Sequence, residues 1–271
     1  MSLSVYSSEN FEARNRAFLF GDAVRVTFYI RNSKLIMAEE CYFYLMASMR
    51  KMRMNIPLSY TLEYFQNLFQ TVLNEGVENA FVQMMVFRTS DNEVLSKAGV
   101  DYYFEVVQTE DVLAMQNSIE MDIIKEIHVN TNLLSSIRVH CPENIYAEIY
   151  AKENELDDLI LLNPSKRIAR SVYGNILVIK ENSIRIPKQS EGAYISPLME
   201  NFVTFVHKQN LADIDTAEMI AFETQKADEV FVISDEKGIF PVSKIRNKSF
   251  VQTKIEELVT KWKASFDTIT E

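Results

Sequence analysis

Cysteine is nearly absent from this 271-residue chain, which has only Cys41 and Cys141. Two cysteines so far apart give neither a disulfide framework nor metal-ligand spacing. Histidine is as scarce: His128, His140 and His207 form no pair at helical spacing, so no metal site is expected. Glycine occurs only at 21, 76, 99, 174, 192 and 238. None of these forms a Gly-x-Gly, which excludes a glycine-rich phosphate loop. No apolar run approaches the ~18 residues that span a bilayer. The opening MSLSVYSSENFEARNR lacks a hydrophobic signal core. Positive charge is in deficit, with 28 Lys and Arg against 38 Asp and Glu, a net charge of −10. That balance argues against a nucleic-acid or membrane partner. The expectation from these absences is a cytoplasmic protein with reduced thiols.

What is present is an ordinary globular composition, 47% hydrophobic and 24% charged, sufficient for a sizeable core. The length suits one large domain or two modest ones. Val24, Val26, Phe28 and Ile30 alternate with Arg25, Thr27, Tyr29 and Arg31, which predicts a half-buried strand with one polar face. Asn32-Ser33 turns the chain into a short return strand at Leu35 to Met37. The spacing of Cys41, Leu45, Met49 and Met52 predicts a helix from Ala38 to Met54, ended by Pro57. Ser59 is the expected cap of a second helix, Tyr60 to Leu73, with Glu63 closing the cap and Gly76 stopping it. Phe81 to Arg88 and Asp101 to Val107 read as strands, with the turn region at Asp91-Asn92. These elements make a small α+β domain over residues 1–112.

A larger domain, 113–271, follows, with a cleft expected between the two. His128 to Ser136 is irregular. A helix at Glu143 to Asn154 and an apolar strand at Leu159 to Leu162 come next, then a turn at Asn163-Pro164-Ser165. Ile176 to Ile179 and Ser183 to Ile186 read as a hairpin. Pro197 opens a helix to about Gln209. A short helix at Ala217 to Phe222, strands at Val230 to Ile233 and Ile239 to Val242, and an amphipathic helix at Lys254 to Phe266 complete the chain.

Several strings occur in one order: Gly21-Asp22-Ala23-Val24, Tyr150 to Asn154 with Asp157-Asp158, Asn175-Ile176, Ser190-Glu191-Gly192, Ala227 to Phe231 and Gly238 to Val242. Together they resemble the class IV aminotransferases, the family of branched-chain and D-amino acid aminotransferases and aminodeoxychorismate lyase, over about residues 18 to 265. The resemblance implies a mixed α+β and α/β architecture, the two-domain D-amino acid aminotransferase-like fold (pyridoxal phosphate, PLP, fold type IV), and a homodimer. It also implies a Schiff-base lysine, a glutamate at the pyridine nitrogen and a phosphate cup.

The side chains that the resemblance places at those positions are different. Leu134-Ser135-Ser136-Ile137-Arg138 puts Arg138 at the lysine position, with Ile137 the other candidate. Neither residue type forms a Schiff base. Arg167-Ile168-Ala169-Arg170 puts Arg170 at the glutamate position. The phosphate positions become Tyr44, the helix start Ser196-Pro197-Leu198, and Asp235-Glu236. Arg25 stands where an aromatic would face the cofactor. The expectation is therefore a site without PLP and a non-catalytic binding or scaffold protein. Its cleft, lined by Arg25, Arg138 and Arg170, would either hold an anionic metabolite or be closed by pairing with Asp235 and Glu236. The competing reading is an active PLP-dependent aminotransferase or aminodeoxychorismate lyase whose lysine lies elsewhere, with Lys125, Lys152 and Lys166 nearby in sequence. Tyr44 reads as a core tyrosine with a bonded hydroxyl, and both cysteines as inert packing.

Overall fold

A computed structural model describes residues 3–7, 15–89 and 95–267. The chain divides into two compact units. Unit one is Met1–Val112 with Ile137–His140, and unit two is Leu113–Ser136 with Cys141–Glu271.

Unit one contains β1 (Leu3–Ser7), α1 (Arg16–Phe20), β2 (Ala23–Arg31), β3 (Lys34–Ile36), α2 (Ala38–Lys51), α3 (Leu62–Asn74), β4 (Ala80–Arg88) and β5 (Val100–Gln108). Its antiparallel sheet runs β1-β5-β4-β2-β3. The β2–β3 turn takes Asn32 and Ser33 both to positive φ, the geometry that matches the twist of a tight hairpin. Phe28, Phe65, Phe69 and Phe104 pack ring on ring where α3 meets the sheet. The alternation along β2 predicts one polar face, but every residue except Arg25 is buried. The polar face is covered because its residues find partners. Tyr29 meets the edge of Phe81, and the Arg31 guanidinium pairs with Asp111 at 3.1 Å.

Helix boundaries correct two further expectations. α2 stops at Lys51, not Met54. Arg53 adopts φ 52°, and its N–H reaches Arg50 O while Met54 N–H reaches Met49 O. This pair of bonds is a Schellman closure, which ends the helix before Pro57 can act. α3 is capped by Thr61, whose Oγ1 accepts the Tyr64 N–H, and not by Ser59. The turn expected at Asp91-Asn92 lies outside the described residues.

Unit two contains β6 (Ile119–Ile123), α4 (Pro142–Glu153), β7 (Asp158–Leu162), β8 (Ile168–Ser171), β9 (Asn175–Lys180), β10 (Ser183–Pro187), α5 (Pro197–Lys208), β11 (Asp213–Ala217), β12 (Glu229–Ser234), β13 (Gly238–Ile245), β14 (Lys248–Ser249) and α6 (Thr253–Asp267). The sheet runs β11-β10-β9-β12-β13-β6-β7-β8, with β14 on β13. It curls into a half-barrel. The pairs β10–β11, β13–β6 and β6–β7 are parallel; the others are antiparallel. After the buried Asp158, β7 is apolar, because both its faces are buried. Ile160 and Leu162 join the core that includes Val178, Val230 and Val242, and Leu159 and Leu161 pack with Ala147 and Ala151 of α4. α5 and α6 seal another face through Phe202, Phe231 and Trp262, whose indole N–H donates to Asn201. The short helix expected at Ala217 to Phe222 is instead the end of β11 and a 3-10 turn, Ala221–Lys226. Gly174 sits in the β8–β9 turn, where a Cβ would lie 2.1 Å from Ile233 O. Only glycine lets that turn approach β12.

Candidate functional site

Unit one brings Arg25, Tyr44 and Arg138 together through the backbone. Tyr44 is buried on α2, and its Oη accepts the Arg138 N–H at 2.9 Å. The Arg138 carbonyl accepts the Arg25 N–H at 2.8 Å. Tyr44 is thus a core tyrosine with a bonded hydroxyl. The Arg25 side chain is exposed, Arg138 is half-buried, and Ile137 is buried.

Unit two holds Arg170 on β8, only 3% exposed. Its Nη1 donates to Gly192 O at 2.8 Å and to Ser135 O at 3.5 Å. Its Nη2 donates to Asn144 Oδ1 at 3.3 Å and to Cys141 Sγ at 3.4 Å. The guanidinium carbon lies 4.2 Å from the centre of the Tyr194 ring, whose face attracts a cation. Two amides fix that ring. Asn144 Nδ2 donates to Tyr194 Oη at 3.0 Å, and Asn175 exchanges two 2.9 Å bonds with the Tyr194 backbone. All these partners are neutral. The pairing of Arg170 with Asp235 or Glu236 expected from the sequence does not occur, and among the described residues no carboxylate meets it. Its Nε is buried and bonded to nothing. A full charge held only by neutral groups remains several kcal/mol short of its hydration.

Cys141 precedes α4 and is half-buried. Burial pushes its thiol up, and the neighbouring Arg170 opposes that rise only in part. It is therefore a weak nucleophile, in keeping with packing. Asn144, Tyr194 and Cys141 are the partners of Arg170 that sequence reasoning missed. The one available signal was the Asn175 register, which places β9 beside Tyr194.

The acids lie elsewhere in unit two. Asp235, 4% exposed in the turn after β12, accepts Ser196 Oγ–H at 2.7 Å and Leu198 N–H at 3.1 Å on one oxygen. Ser196, Pro197 and Leu198 are buried at the start of α5. Glu236 is half-buried in the same turn. A carboxylate of the chain itself thus rests against the α5 N-terminus, where the helix dipole favours negative charge. Beside it is a cavity of about 440 Å³, lined by Pro187, Lys188, Tyr194, Met199, Glu200 and Thr216 among others. Burial, and then Asp235, raise the Glu200 carboxyl.

Among the described residues no group of three or more His, Cys, Asp or Glu could hold a metal ion. No described helix is long and apolar enough to cross a membrane.

Three comparisons bear on this arrangement. No curated protein matches the chain in sequence. Solved structures superpose on almost all of it. A candidate 4-amino-4-deoxychorismate lyase from Legionella pneumophila has a TM-score of 0.81 at 17% identity, covering 95% of this chain and 96% of its own. A branched-chain aminotransferase from Thermoproteus uzoniensis, solved with norvaline, has a TM-score of 0.84 at 13% identity, covering 96% and 93%. The branched-chain amino acid aminotransferase of Escherichia coli has a TM-score of 0.82 at 12% identity, covering 96% and 89%. At these identities the likeness concerns the fold, which is PLP fold type IV. The family model described as amino-transferase class IV matches residues 27–245, most of the chain. The chain therefore belongs to the class IV aminotransferase family.

Proposed function

We propose that this chain is a non-catalytic member of its family that binds a small anion at Arg170 and does not use PLP. PLP bound in the manner of the family needs an amine for its aldehyde, an acid for its pyridine N–H and an open seat for its phosphate dianion. The resemblance puts Arg138 or Ile137, Arg170 and Asp235 at the corresponding positions. They do not fit it. A guanidinium stays protonated and forms no Schiff base. Arg170 would set a cation against the pyridinium, and Asp235 already takes the Leu198 N–H.

The observation that carries the anion reading is Arg170 itself, buried, free of any acidic partner among the described residues, and with its Nε–H unbonded. An anion received there would neutralise the charge and take the remaining donor. A cytoplasmic homodimer is the proposed form, in keeping with a family whose members are typically oligomeric.

Two measurements test this reading. Added PLP is expected to give no near-ultraviolet or visible band of a lysine adduct, and borohydride to fix no cofactor to the protein. A band lost on changing one lysine would restore the PLP-enzyme reading. Thermal melting at matched ionic strength is expected to rise with a small carboxylate or phosphate in the native protein, and not in Arg170→Met. No rise with any anion would leave a scaffold without ligand.

A further inference from the structure

We infer that the N-terminus of α5 is an anion seat occupied by the chain's own Asp235 carboxylate, so that Asp235 excludes phosphate-bearing ligands from it. The inference goes beyond the anion reading at Arg170 and stands or falls separately from it. Its basis is an account of the first helical turn, whose N–H groups have no partners within the helix. Pro197 has no N–H to satisfy. The Glu200 N–H reaches Ser196 O at 2.9 Å, and the Met199 N–H reaches Ser196 Oγ at 3.1 Å. Ser196 thus caps the helix in the ordinary way. One donor is left, the Leu198 N–H, and Asp235 Oδ1 takes it at 3.1 Å. The same oxygen takes the Ser196 hydroxyl proton at 2.7 Å.

Asp235 is no local cap. It comes from the turn between β12 and β13, far along the chain, and arrives buried against a helix start that already has its serine. A carboxylate there collects a backbone N–H, a hydroxyl and the positive end of α5, the same combination that recruits phosphate groups to helix starts. A second anion would have to share those donors and face a buried like charge, which low-dielectric surroundings do not screen. The raised Glu200 carboxyl one turn into α5 is consistent with the field of Asp235.

The test follows the Leu198 amide by NMR in the full-length, isotope-labelled chain while inorganic phosphate replaces chloride at constant ionic strength. In the native protein this amide is expected to stay fixed. In Asp235→Ala it is expected to shift saturably, with a phosphate affinity higher by about tenfold or more, the order set by removing one buried like charge. Asp235→Asn, which keeps the shape and loses the charge, is expected to fall between them and decides the question if the alanine variant does not fold. Equal response in the native protein would overturn the inference. So would a fixed Leu198 amide in a variant whose other resonances show it folded. The Leu198 response of Asp235→Ala should persist when Arg170→Met is added. Its loss there would transfer the phosphate to Arg170 and overturn the seat at α5.

Discussion

Asp158 is fully buried at the start of β7, where its Oδ1 accepts the N–H groups of Leu159, Val172 and Tyr173. It therefore ties β7 to the β8–β9 turn. Burial outweighs those bonds and pushes its carboxyl up to about 7. The sign of the consequence follows from which state holds the proton. Between the ordinary carboxylate value near ~4 and about 7, the folded state keeps the proton and the unfolded chain has lost it. Rising pH across that window therefore removes stability, by a few kcal/mol in all, and little further change follows above it. Asp158→Asn keeps the accepting oxygen and cannot ionise. Urea unfolding from pH 4 to pH 8 should show a smaller loss of stability in the variant; identical slopes would mean that Asp158 is ionised throughout. Arg170 shows how far single residues could be read from sequence. The resemblance singled it out through the Arg-Ile-Ala-Arg string, although the strand that carries it, β8, was not read from the sequence. Its partners did not follow. Charge matching pointed to Asp235 and Glu236, whereas two carbonyls, an amide, a thiol and a ring hold it. Backbone carbonyls and π faces carry no sequence label, so counting charges overlooks them.

Most elements with a strong period were legible, and most weakly patterned ones were not. β2, β4, β5, β7, β9, β12, α5 and α6 lie where alternation or helical spacing puts them. β1, β6, β8, β11 and β14 were missed, β6 despite its alternating burial. β8 is four residues long, and β11 sits at a sheet edge with mostly exposed side chains, so neither has a clean alternation. In α4 the regularly spaced Ile145, Tyr146 and Ile149 are exposed, while Ala147 and Ala151 are buried. Size misled there, because a helix lying close on β7 needs small residues. Glycine scarcity also shows at this scale. α2, α4 and α5 each end with a non-glycine residue in the left-handed region, Arg53, Glu155 and Asn210. That conformation costs about 1–2 kcal/mol for an L-residue, against about 0.4–1 kcal/mol for the added freedom of an unfolded glycine. Glu155→Gly should therefore stabilise the fold by up to about 1.6 kcal/mol in denaturant unfolding; a loss of stability would show that its side chain contributes more than its backbone strains. At the opposite extreme, Trp262→Ala empties the contact of α6 with Phe202 and should cost about 3–5 kcal/mol. A loss below about 1 kcal/mol would mean that α6 frays without consequence.

At the scale of the whole molecule, the family was legible because its strings occur in one order, and order along a chain survives when single side chains do not. The proposed homodimer is checked by sedimentation at micromolar concentration, where a dimer is expected and a monomer would refute the assembly. Residues Ile137–His140 add a different constraint. They belong to unit one, although the chain on either side of them belongs to unit two. Arg138 gives Tyr44 and Arg25 their backbone bonds from within that short return. No single cut can release unit one as an intact piece. A fragment ending at Val112 would leave the Tyr44 hydroxyl and the Arg25 N–H without these partners. Neither unit can be exchanged by grafting one uninterrupted stretch of chain. The four residues behave like a stitch passed back through finished cloth, and the units must be remodelled together or not at all.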